Sequence, residues 1–346
     1  MKRMEKFGKL LAVLVLAIAI AACGQNPGTN GTANSSQPPA GNGGANQGTG
    51  DSGGGNASDP AGVGGSSQAD RSKRTVYPLT VKDDSGKEFT FVKPPERIVS
   101  ISPTETEILF ALGLGDKIVG VSDYDDYPEE AKSKPKMGGL QGNVETILAA
   151  SPDIVFAGIS LKKDTVEKMA ELKLPLFRTD PKTVDAAMER ILLFGKITDT
   201  QEQAEKIVEQ MKKEKQQVVE AVKQLKPEEK KKVYIEFSPG WTVGKGEFMD
   251  DMISLAGGIN VAGDLEGWAQ ISEEKIIQAN PDVILFSKYV PNLEQTIRGR
   301  GGWDKISAIA GGRVVGIDDN LMARPGPRIT KGLIDIAKGI YPELVK

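Results

Sequence analysis

Few residues of this chain have both the type and the spacing that chemistry requires. The acidic stretch Asp123, Asp125 and Asp126 could coordinate calcium, but it lacks the glycine turn and the later glutamate of a calcium-binding loop, so we expect solvated surface there. The segment 244–246 (Gly-Lys-Gly) lacks the preceding glycine spacing and the following serine or threonine of a phosphate-binding loop. The sequence has no histidine and one cysteine, which excludes histidine-dependent triads, thiolate metal clusters and an intramolecular disulfide. We therefore predict a protein that is not an enzyme and has no metal site or intrinsic cofactor.

Chain length and net charge further limit the classes of protein to which this chain could belong. The chain has 346 residues, 39% of them apolar and 26% charged, which is enough for two lobes of roughly 100–150 residues each. Lysine and arginine number 44 against 47 acidic residues, a net charge of -3. Nucleic-acid-binding proteins carry clustered positive charge, so we expect no nucleic-acid partner.

The N-terminus has the pattern of an export signal. A basic start is followed by the unbroken apolar run Leu10–Ile20, which is too short to span a bilayer but suits the hydrophobic region of a signal peptide over residues 1–22. The run ends in small residues directly before Cys23, the only cysteine, and this arrangement resembles the lipobox of bacterial lipoproteins. We expect acyl chains on Cys23 to anchor the mature protein to the outer face of the cell membrane.

The segment 23–73 predicts a disordered tether. Its stretch 24–70 holds 14 glycines in 47 positions, no aromatic residue and no lysine or arginine. Such a composition buries too little apolar surface to offset chain entropy. As a flexible coil it would span roughly 35–40 Å, which gives a folded domain reach from the membrane.

From residue 74 onward the pattern is that of α/β structure. Apolar runs around a turn at 84–86 predict a hairpin, and alternating strands and helices then indicate a parallel α/β lobe over 74–197. Ser102 followed by Glu105 predicts a capping box on the first helix, which should end at Gly113. The predicted strands are 97–101, 118–121, 153–157 and 175–177, and the predicted helices are 144–150, 165–172 and 184–194.

One long amphipathic helix is predicted over 200–225, about 26 residues, inside a bridging segment 198–227. Thr200 and Gln203 suggest a second capping box at its start. The α/β pattern resumes in a C-terminal lobe, 228–346. Its predicted strands are 233–237, 283–286 and 314–317, and its predicted helices are 249–255, 273–279 and one that begins at Ile329.

The two lobes share a short internal repeat. Residues 145–158 align without gaps to 274–287, with five of fourteen positions identical. A helix, a Pro-Asp turn and an apolar strand explain most of these matches, but not a glutamate seven residues before the proline in both copies. Glu145 and Glu274 should therefore occupy equivalent positions in the two lobes, and favourable charge at the first turn of each helix is the simpler alternative.

From Arg97 to the C-terminus the chain resembles the solute-binding lipoproteins of iron-siderophore, haem and vitamin B12 importers. The motifs that carry the resemblance are Arg97–Glu107, Gly120–Pro128, Gly267–Glu274 and Arg324–Arg328, together with the order of lobe, long helix and lobe. The likeness is greatest to the vitamin B12-binding proteins. It implies a class III periplasmic-binding-protein-like fold, two parallel-sheet α/β lobes joined by one long helix with a ligand cleft between them.

The resemblance also implies the ligand-binding residues, which come from both lobes: Tyr124, Leu140, Trp241, Trp268, Asn320 and Arg324. Leu140, Leu321 and Met322 stand where B12-binding proteins have aromatic residues, so a ferric siderophore or haem remains open beside a cobalt corrinoid. The two tryptophans could instead be core residues, and Arg324 could pair with a carboxylate of the fold, as Arg328 is expected to do.

The resemblance further implies partners. Glu145 and Glu274 match two glutamates that engage arginines on the permease dimer of an ABC importer, which works with separate ATPase subunits. A wall-associated adhesion or sensor module is the alternative from another class, and it would not need the paired glutamates.

Overall fold

The computed structural model describes residues 74–345. The predicted signal peptide (1–22), the predicted acylation site Cys23 and the rest of the predicted tether up to residue 73 lie outside the described residues. In the described part, no helix is both long and apolar enough to cross a membrane.

A hairpin opens the fold, as predicted. It pairs β1 (Leu79–Lys82) with β2 (Glu88–Phe91) in antiparallel register. Asp83 closes the turn, because its Oδ1 accepts from the backbone N–H groups of Ser85 and Lys87, each at 2.9 Å. Its other oxygen accepts from the backbone N–H of Arg178 at 3.0 Å, which fixes the hairpin to the first lobe.

The N-terminal lobe is built on a parallel sheet with the strand order β4-β3-β5-β6. The strands are β3 (Ile98–Ser100), β4 (Ile118–Val121), β5 (Ile154–Gly158) and β6 (Leu176–Thr179). The helices are α1 (Pro103–Ala111), α2 (Val144–Ala149), α3 (Lys163–Glu171) and α4 (Val184–Thr198). Each predicted strand and helix of this lobe is confirmed, with ends that differ by a few residues.

The first predicted capping box is wrong. Ser102 is the N-cap of α1, but its side chain makes no capping hydrogen bond to the helix. Glu105 instead accepts a hydrogen bond from the Thr179 hydroxyl, because its side chain is buried against the end of β6. Burial raises the pKa of Glu105.

The bridging helix α5 spans Gln201–Val222 and has 22 residues, fewer than predicted. It is shorter than the segment 198–227 at both ends, because Thr198 ends α4 and a short 3-10 turn begins at Pro227. Thr200 does not form the predicted capping box either, since its hydroxyl bonds that of Thr198 at 2.8 Å. The predicted apolar face is buried against α4 and the C-terminal helix of the chain.

The C-terminal lobe repeats the architecture with the strand order β12-β11-β7-β9. Its strands are β7 (Lys232–Glu236), β8 (Trp241–Val243), β9 (Ile259–Asn260), β10 (Trp268–Gln270), β11 (Val283–Ser287) and β12 (Val314–Ile317). Its helices are α6 (Phe248–Leu255), α7 (Glu273–Ala279), α8 (Leu293–Gly299), α9 (Ser307–Ala310), α10 (Asp319–Met322) and α11 (Ile329–Ile340). The antiparallel pair β8 and β10, the short strand β9 and helices α8 to α10 were not predicted.

One apolar cluster runs through both lobes. It joins Phe156 of β5, Met211 of α5 and Leu285 of β11. Two smaller clusters cover the remaining face of each sheet, one around Val99 and one around Trp303. Both sheets are therefore covered on both faces, as parallel sheets require, and the lobes share one side of their core.

Candidate functional site

The candidate site is formed by the loops that follow the strands. The carboxyl ends of parallel strands meet at one edge of a sheet, so the loops after β3, β4 and β5 gather in the N-terminal lobe. The loops after β7, β11 and β12 gather in the same way in the C-terminal lobe. All six predicted ligand-binding residues lie on these loops or on segments next to them.

In the N-terminal lobe the structure brings Tyr124 and the loop of Leu140 together. The side chains of Tyr124 and Leu140 are 51% and 41% exposed. A Cβ atom built on Gly139 would lie 3.6 Å from Cε2 of Tyr124. The two loops are also joined by the backbone N–H of Asp123, which donates to Gly138 at 2.9 Å.

Asp125 fixes the loop that carries Tyr124. Its Oδ2 accepts from the backbone N–H of Ser122 at 2.7 Å and from the Thr106 hydroxyl at 2.9 Å. The residue is only 2% exposed, and burial raises the pKa of this carboxyl to about 6. The expectation of solvated surface is therefore wrong for Asp125. No group of three or more potential metal-ligating side chains is found within residues 74–345.

In the C-terminal lobe the two predicted tryptophans lie on paired strands. Trp241 faces Gln270 across β8 and β10, and Trp268 faces Val243. Trp268 is 37% exposed and rests edge-on against Phe237, with ring centroids 4.9 Å apart. Trp241 is half-buried. Neither ring is fully buried, and ligand contact by either stays a prediction.

A buried ion pair holds the turn that leads into β8, the strand that begins with Trp241. Glu236, at the end of β7, is fully buried and binds Arg300 through two hydrogen bonds, of which Nη1 to Oε2 is 2.8 Å. Glu236 also accepts from the backbone N–H of Gly240, the residue before Trp241, at 3.0 Å. Arg300 lies 4.5 Å from the ring centroid of Trp303. The turn that leads into β8 is thus held by a charge pair that sequence reasoning missed.

Asn320 lies beside an exposed tyrosine that was also missed. Its Nδ2 donates to the Tyr289 hydroxyl at 2.9 Å, and that hydroxyl donates to Asp318 at 3.2 Å. Tyr289 is 58% exposed, two residues beyond the end of β11. The internal repeat contains the signal, because it ends at Ser287 and so marks the next residues as a strand-end loop.

Arg324 is engaged by the fold. Its guanidinium donates to Glu107 at 3.0 Å and to Asp126 at 2.8 Å, and its side chain is 14% exposed. Arg328 also binds Glu107, at 2.8 and 2.6 Å, and covers the Tyr127 ring at 3.8 Å. The expectation for Arg328 is confirmed. For Arg324 the alternative of a carboxylate partner holds, and direct ligand contact stays a prediction.

Glu145 and Glu274 occupy equivalent positions, as the repeat predicts. Each lies in the first turn of the helix that precedes the central strand of its lobe, α2 before β5 and α7 before β11. Both side chains are exposed. Lys168 pairs with Glu145 and lowers the pKa of that carboxyl, whereas the pKa of Glu274 is lowered by its own backbone N–H and by Ser272.

An apolar residue is exposed one turn after each glutamate. Leu148 is 42% and Ile277 is 39% exposed, at matched places in the internal repeat. The two lobes therefore present the same pair of features, a carboxylate and an apolar side chain on one helix face.

A family model described as a periplasmic binding protein matches residues 98–321. The chain belongs to the periplasmic binding protein family. Two parallel-sheet lobes joined by α5, with a ligand cleft between them, are the class III form of that fold.

Relatives within this family are similar over most of the chain. An uncharacterized ABC transporter substrate-binding lipoprotein, YvrC of Bacillus subtilis, is 34% identical over 283 residues, which cover 80% of this chain and 90% of the relative. A cobalamin-binding protein of Halobacterium salinarum is 26% identical over 287 residues, which cover 80% of this chain and 78% of the relative.

A similar solved structure is that of a possible iron-binding (periplasmic solute-binding) protein from Staphylococcus epidermidis. It is 33% identical, with a TM-score of 0.64, and the match covers 72% of this chain and all of the other. The chain is thus a substrate-binding protein of an ABC importer, and its relatives include proteins named for different metal-containing ligands.

Proposed function

We propose that this protein captures a corrinoid of the vitamin B12 type outside the cytoplasmic membrane and delivers it to the permease of an ABC importer. The observation that carries the proposal is the set of exposed aromatic rings in both lobes: Tyr124 on the loop after β4 in one, and Trp268 on β10 and Tyr289 on the loop after β11 in the other. Rings presented from two sides suit a large, flat, partly apolar ligand, because they contact its faces without requiring a charge. The cobalamin-binding relative supports this ligand class.

A ferric siderophore is the second candidate. Leu140 contributes an aliphatic side chain where a second N-terminal aromatic ring would favour a corrin plane. Met322 is buried, so any contact between the 320–324 segment and a ligand would be made by the other residues of that segment. The relative from Staphylococcus epidermidis supports an iron ligand.

The absorbance spectrum of the purified protein distinguishes these ligands. The protein is incubated separately with cyanocobalamin, haemin, ferrichrome and ferric enterobactin, and is then desalted. We expect the cobalamin band to be retained at a stoichiometry near one. Retention of an iron-siderophore or haem band alone would replace the corrinoid, and retention of none of the four would exclude all four compounds as the ligand.

The proposal also assigns a surface through which the protein would dock on the permease and deliver its ligand. Glu145 and Glu274, each beside an exposed apolar residue, would meet two equivalent subunits of a permease dimer, one lobe on each subunit. A charge-assisted pair with an arginine on each subunit would fix the docking register. Acylation at Cys23 would hold the protein at the membrane, and the 23–73 segment would give it reach.

A further inference from the structure

A charged side chain of the N-terminal lobe reaches the C-terminal lobe beside the tryptophan strands. Lys182 lies on the loop between β6 and α4. Its Nζ atom is 3.0 Å from Oδ1 of Asp180 on the same loop and 3.0 Å from Oε1 of Glu247, the N-cap residue of α6. The Lys182–Glu247 pair therefore joins the loop at the carboxyl end of β6 to the other lobe.

Glu247 is also in contact with the turn before Trp268. A Cβ atom built on Gly267 would lie 3.7 Å from Oε1 of Glu247, the same oxygen that receives the ion pair. Gly267 has a φ of +62°, and its backbone N–H donates to the Lys245 carbonyl at 3.0 Å while its carbonyl accepts from Gly244 at 2.7 Å. Trp268 follows directly as the first residue of β10. The position of its ring thus depends on the segment that leads to Glu247.

A second contact crosses between the lobes at the start of α6. Oδ2 of Asp251 accepts from the backbone N–H of Val184, the first residue of α4, at 2.9 Å. Glu247 and Asp251 are four residues apart, so their side chains lie on the same side of the helix start. Two carboxylates of one helix therefore bind the same short segment of the other lobe, and the junction is held at two points.

We propose that Lys182 is a positioning residue for the ligand: by pairing with Glu247 it fixes the turn before Trp268 and so holds that ring at one place in the cleft. The inference rests on the proposed function, in which Trp268 contacts a flat chelate. A side chain that is already held loses less conformational freedom when the ligand binds, so the affinity is higher. Because the Lys182 side chain is 45% exposed, we expect the pair to add little to the stability of the fold itself.

The position of the ring is tested without a ligand. The chain has three tryptophans, so protein labelled with fluorotryptophan gives three fluorine resonances, which are assigned by replacing each tryptophan with phenylalanine. We expect Lys182→Gln and Glu247→Gln to shift the Trp268 resonance equally, and the double variant to add nothing further. The resonance of Trp303, which is fully buried, should stay in place. A Trp268 resonance that moves in neither variant, or in only one of them, would overturn the proposal.

The effect on binding is tested with cyanocobalamin by isothermal titration calorimetry. We expect Lys182→Gln and Glu247→Gln each to weaken binding about three- to tenfold. Lys182→Arg keeps the positive charge and should restore the affinity to within about twofold.

Two control variants remove neighbouring charges but leave the Lys182–Glu247 pair intact. Asp180→Asn removes the carboxylate that Lys182 meets within its own lobe, and Glu266→Gln removes an exposed charge directly before Gly267. Both should bind cyanocobalamin as the wild type does. An equal loss of affinity in either control would show that the contact between the lobes is not what matters.

Two further outcomes separate this inference from the proposed function. If the wild type does not bind cyanocobalamin, the proposed function fails, and the fluorine spectra still decide whether Lys182 positions the ring. If Lys182→Gln weakens binding but Glu247→Gln strengthens it, Lys182 contacts the ligand itself and the positioning role is overturned. Melting temperatures within a degree or two of the wild type confirm that each variant is folded.

Discussion

Trp268 is the single side chain whose removal tests the ligand cleft most directly. Its ring is 37% exposed at a strand end and is held edge-on by Phe237, so it can stack on a flat ligand without moving. An aromatic contact contributes about 0.5–1.5 kcal/mol beyond the area it buries. We expect Trp268→Ala to weaken binding of the retained chelate tenfold or more, measured by fluorescence titration.

A control for this variant is Leu172→Ala. Leu172 is 39% exposed at the end of α3, away from the strand-end loops, and its truncation should leave affinity unchanged. Equal affinities for the wild type and Trp268→Ala would place the ring outside the cleft.

Asp125 makes the stability of the Tyr124 loop depend on pH. Burial raises the pKa of its carboxyl in the folded protein to about 6, above the value of 3.8 for the free group. The folded state therefore binds the proton more tightly than the unfolded state, and the stability that this binding provides is complete below pH 4 and lost as the pH rises towards 6. By linkage the difference is about 3 kcal/mol.

We therefore compare chemical unfolding of the wild type and Asp125→Asn from pH 4 to pH 7. The asparagine can accept the same two hydrogen bonds but does not titrate. The free energy of unfolding of the wild type should fall by about 2.4 kcal/mol relative to the variant over this range. Asp123→Asn, at an exposed neighbour, should follow the wild-type curve; if Asp125→Asn follows it as well, burial does not shift this group.

The sequence indicated candidate site residues but not the partners that hold them. Tyr124 lies on the loop after β4, Trp241 and Trp268 lie on strands β8 and β10, and ligand contact by all three stays a prediction. The partner of Arg324 could not be read from the chain, because Glu107 is 217 residues away and the pair forms only when the lobes fold together. Tyr289 has no motif around it, so only its place after a strand identifies it.

At the scale of elements, helices α2 and α7 carry the docking prediction. Each presents an exposed glutamate in its first turn. Replacing both glutamates, Glu145→Ala with Glu274→Ala, removes the charges that would fix register on the permease. We expect uptake of the chelate to be lost while its affinity in solution stays as in the wild type.

The two measurements are made on the same variant and exclude different alternatives. Lost ligand affinity would move these glutamates into the cleft. Intact uptake would mean that they only favour the helix starts, which the charge at a first turn is sufficient to explain.

The long apolar elements were predictable, and the short polar ones were not. Strands such as β5 and β11 are continuous apolar runs, and α5 has a regular amphipathic repeat, so periodicity alone identifies them. Strands β8 and β10 have three residues each and are separated by the whole of α6 and β9. Their pairing is long-range, and no local pattern marks it. Capping at Ser102 and Thr200 failed because neither side chain accepts from a backbone N–H in the first turn of α1 or α5.

At the scale of the whole molecule, a shared core and one ion cluster bind the lobes together. Glu107, with a side chain 1% exposed, accepts from Arg324 and Arg328 across the two lobes. Removing one partner of a buried charge pair costs about 3–5 kcal/mol, because the remaining charges stay buried. We expect Glu107→Ala to lower the free energy of unfolding by about that amount in a single cooperative transition.

Asp126→Asn is the matched control in the same cluster. Asp126 also binds Arg324, but its side chain is 52% exposed, so the loss should stay below about 1 kcal/mol. Two separate calorimetric transitions, in the wild type or in Glu107→Ala, would show that the lobes fold independently and that the shared core does not couple them.

Membrane attachment is tested at the other end of the chain. Cys23→Ser removes the predicted acylation site, and we expect a folded protein that is secreted or remains unprocessed, found by fractionation of cells and medium. A variant that still sediments with membranes after a salt wash would contradict the lipobox interpretation.

The apolar cluster that joins Phe156, Met211 and Leu285 has a consequence for how the importer senses occupancy. A receptor that must first reach a rare closed form binds more weakly by the fraction of time spent in that form. Here common packing joins the two lobes, so we expect the empty receptor to bind its ligand without a large closing movement. We therefore expect filled and empty receptors to have nearly the same outline. The transporter must distinguish them by local differences at the rim, where the ligand itself or the loops that touch it are exposed.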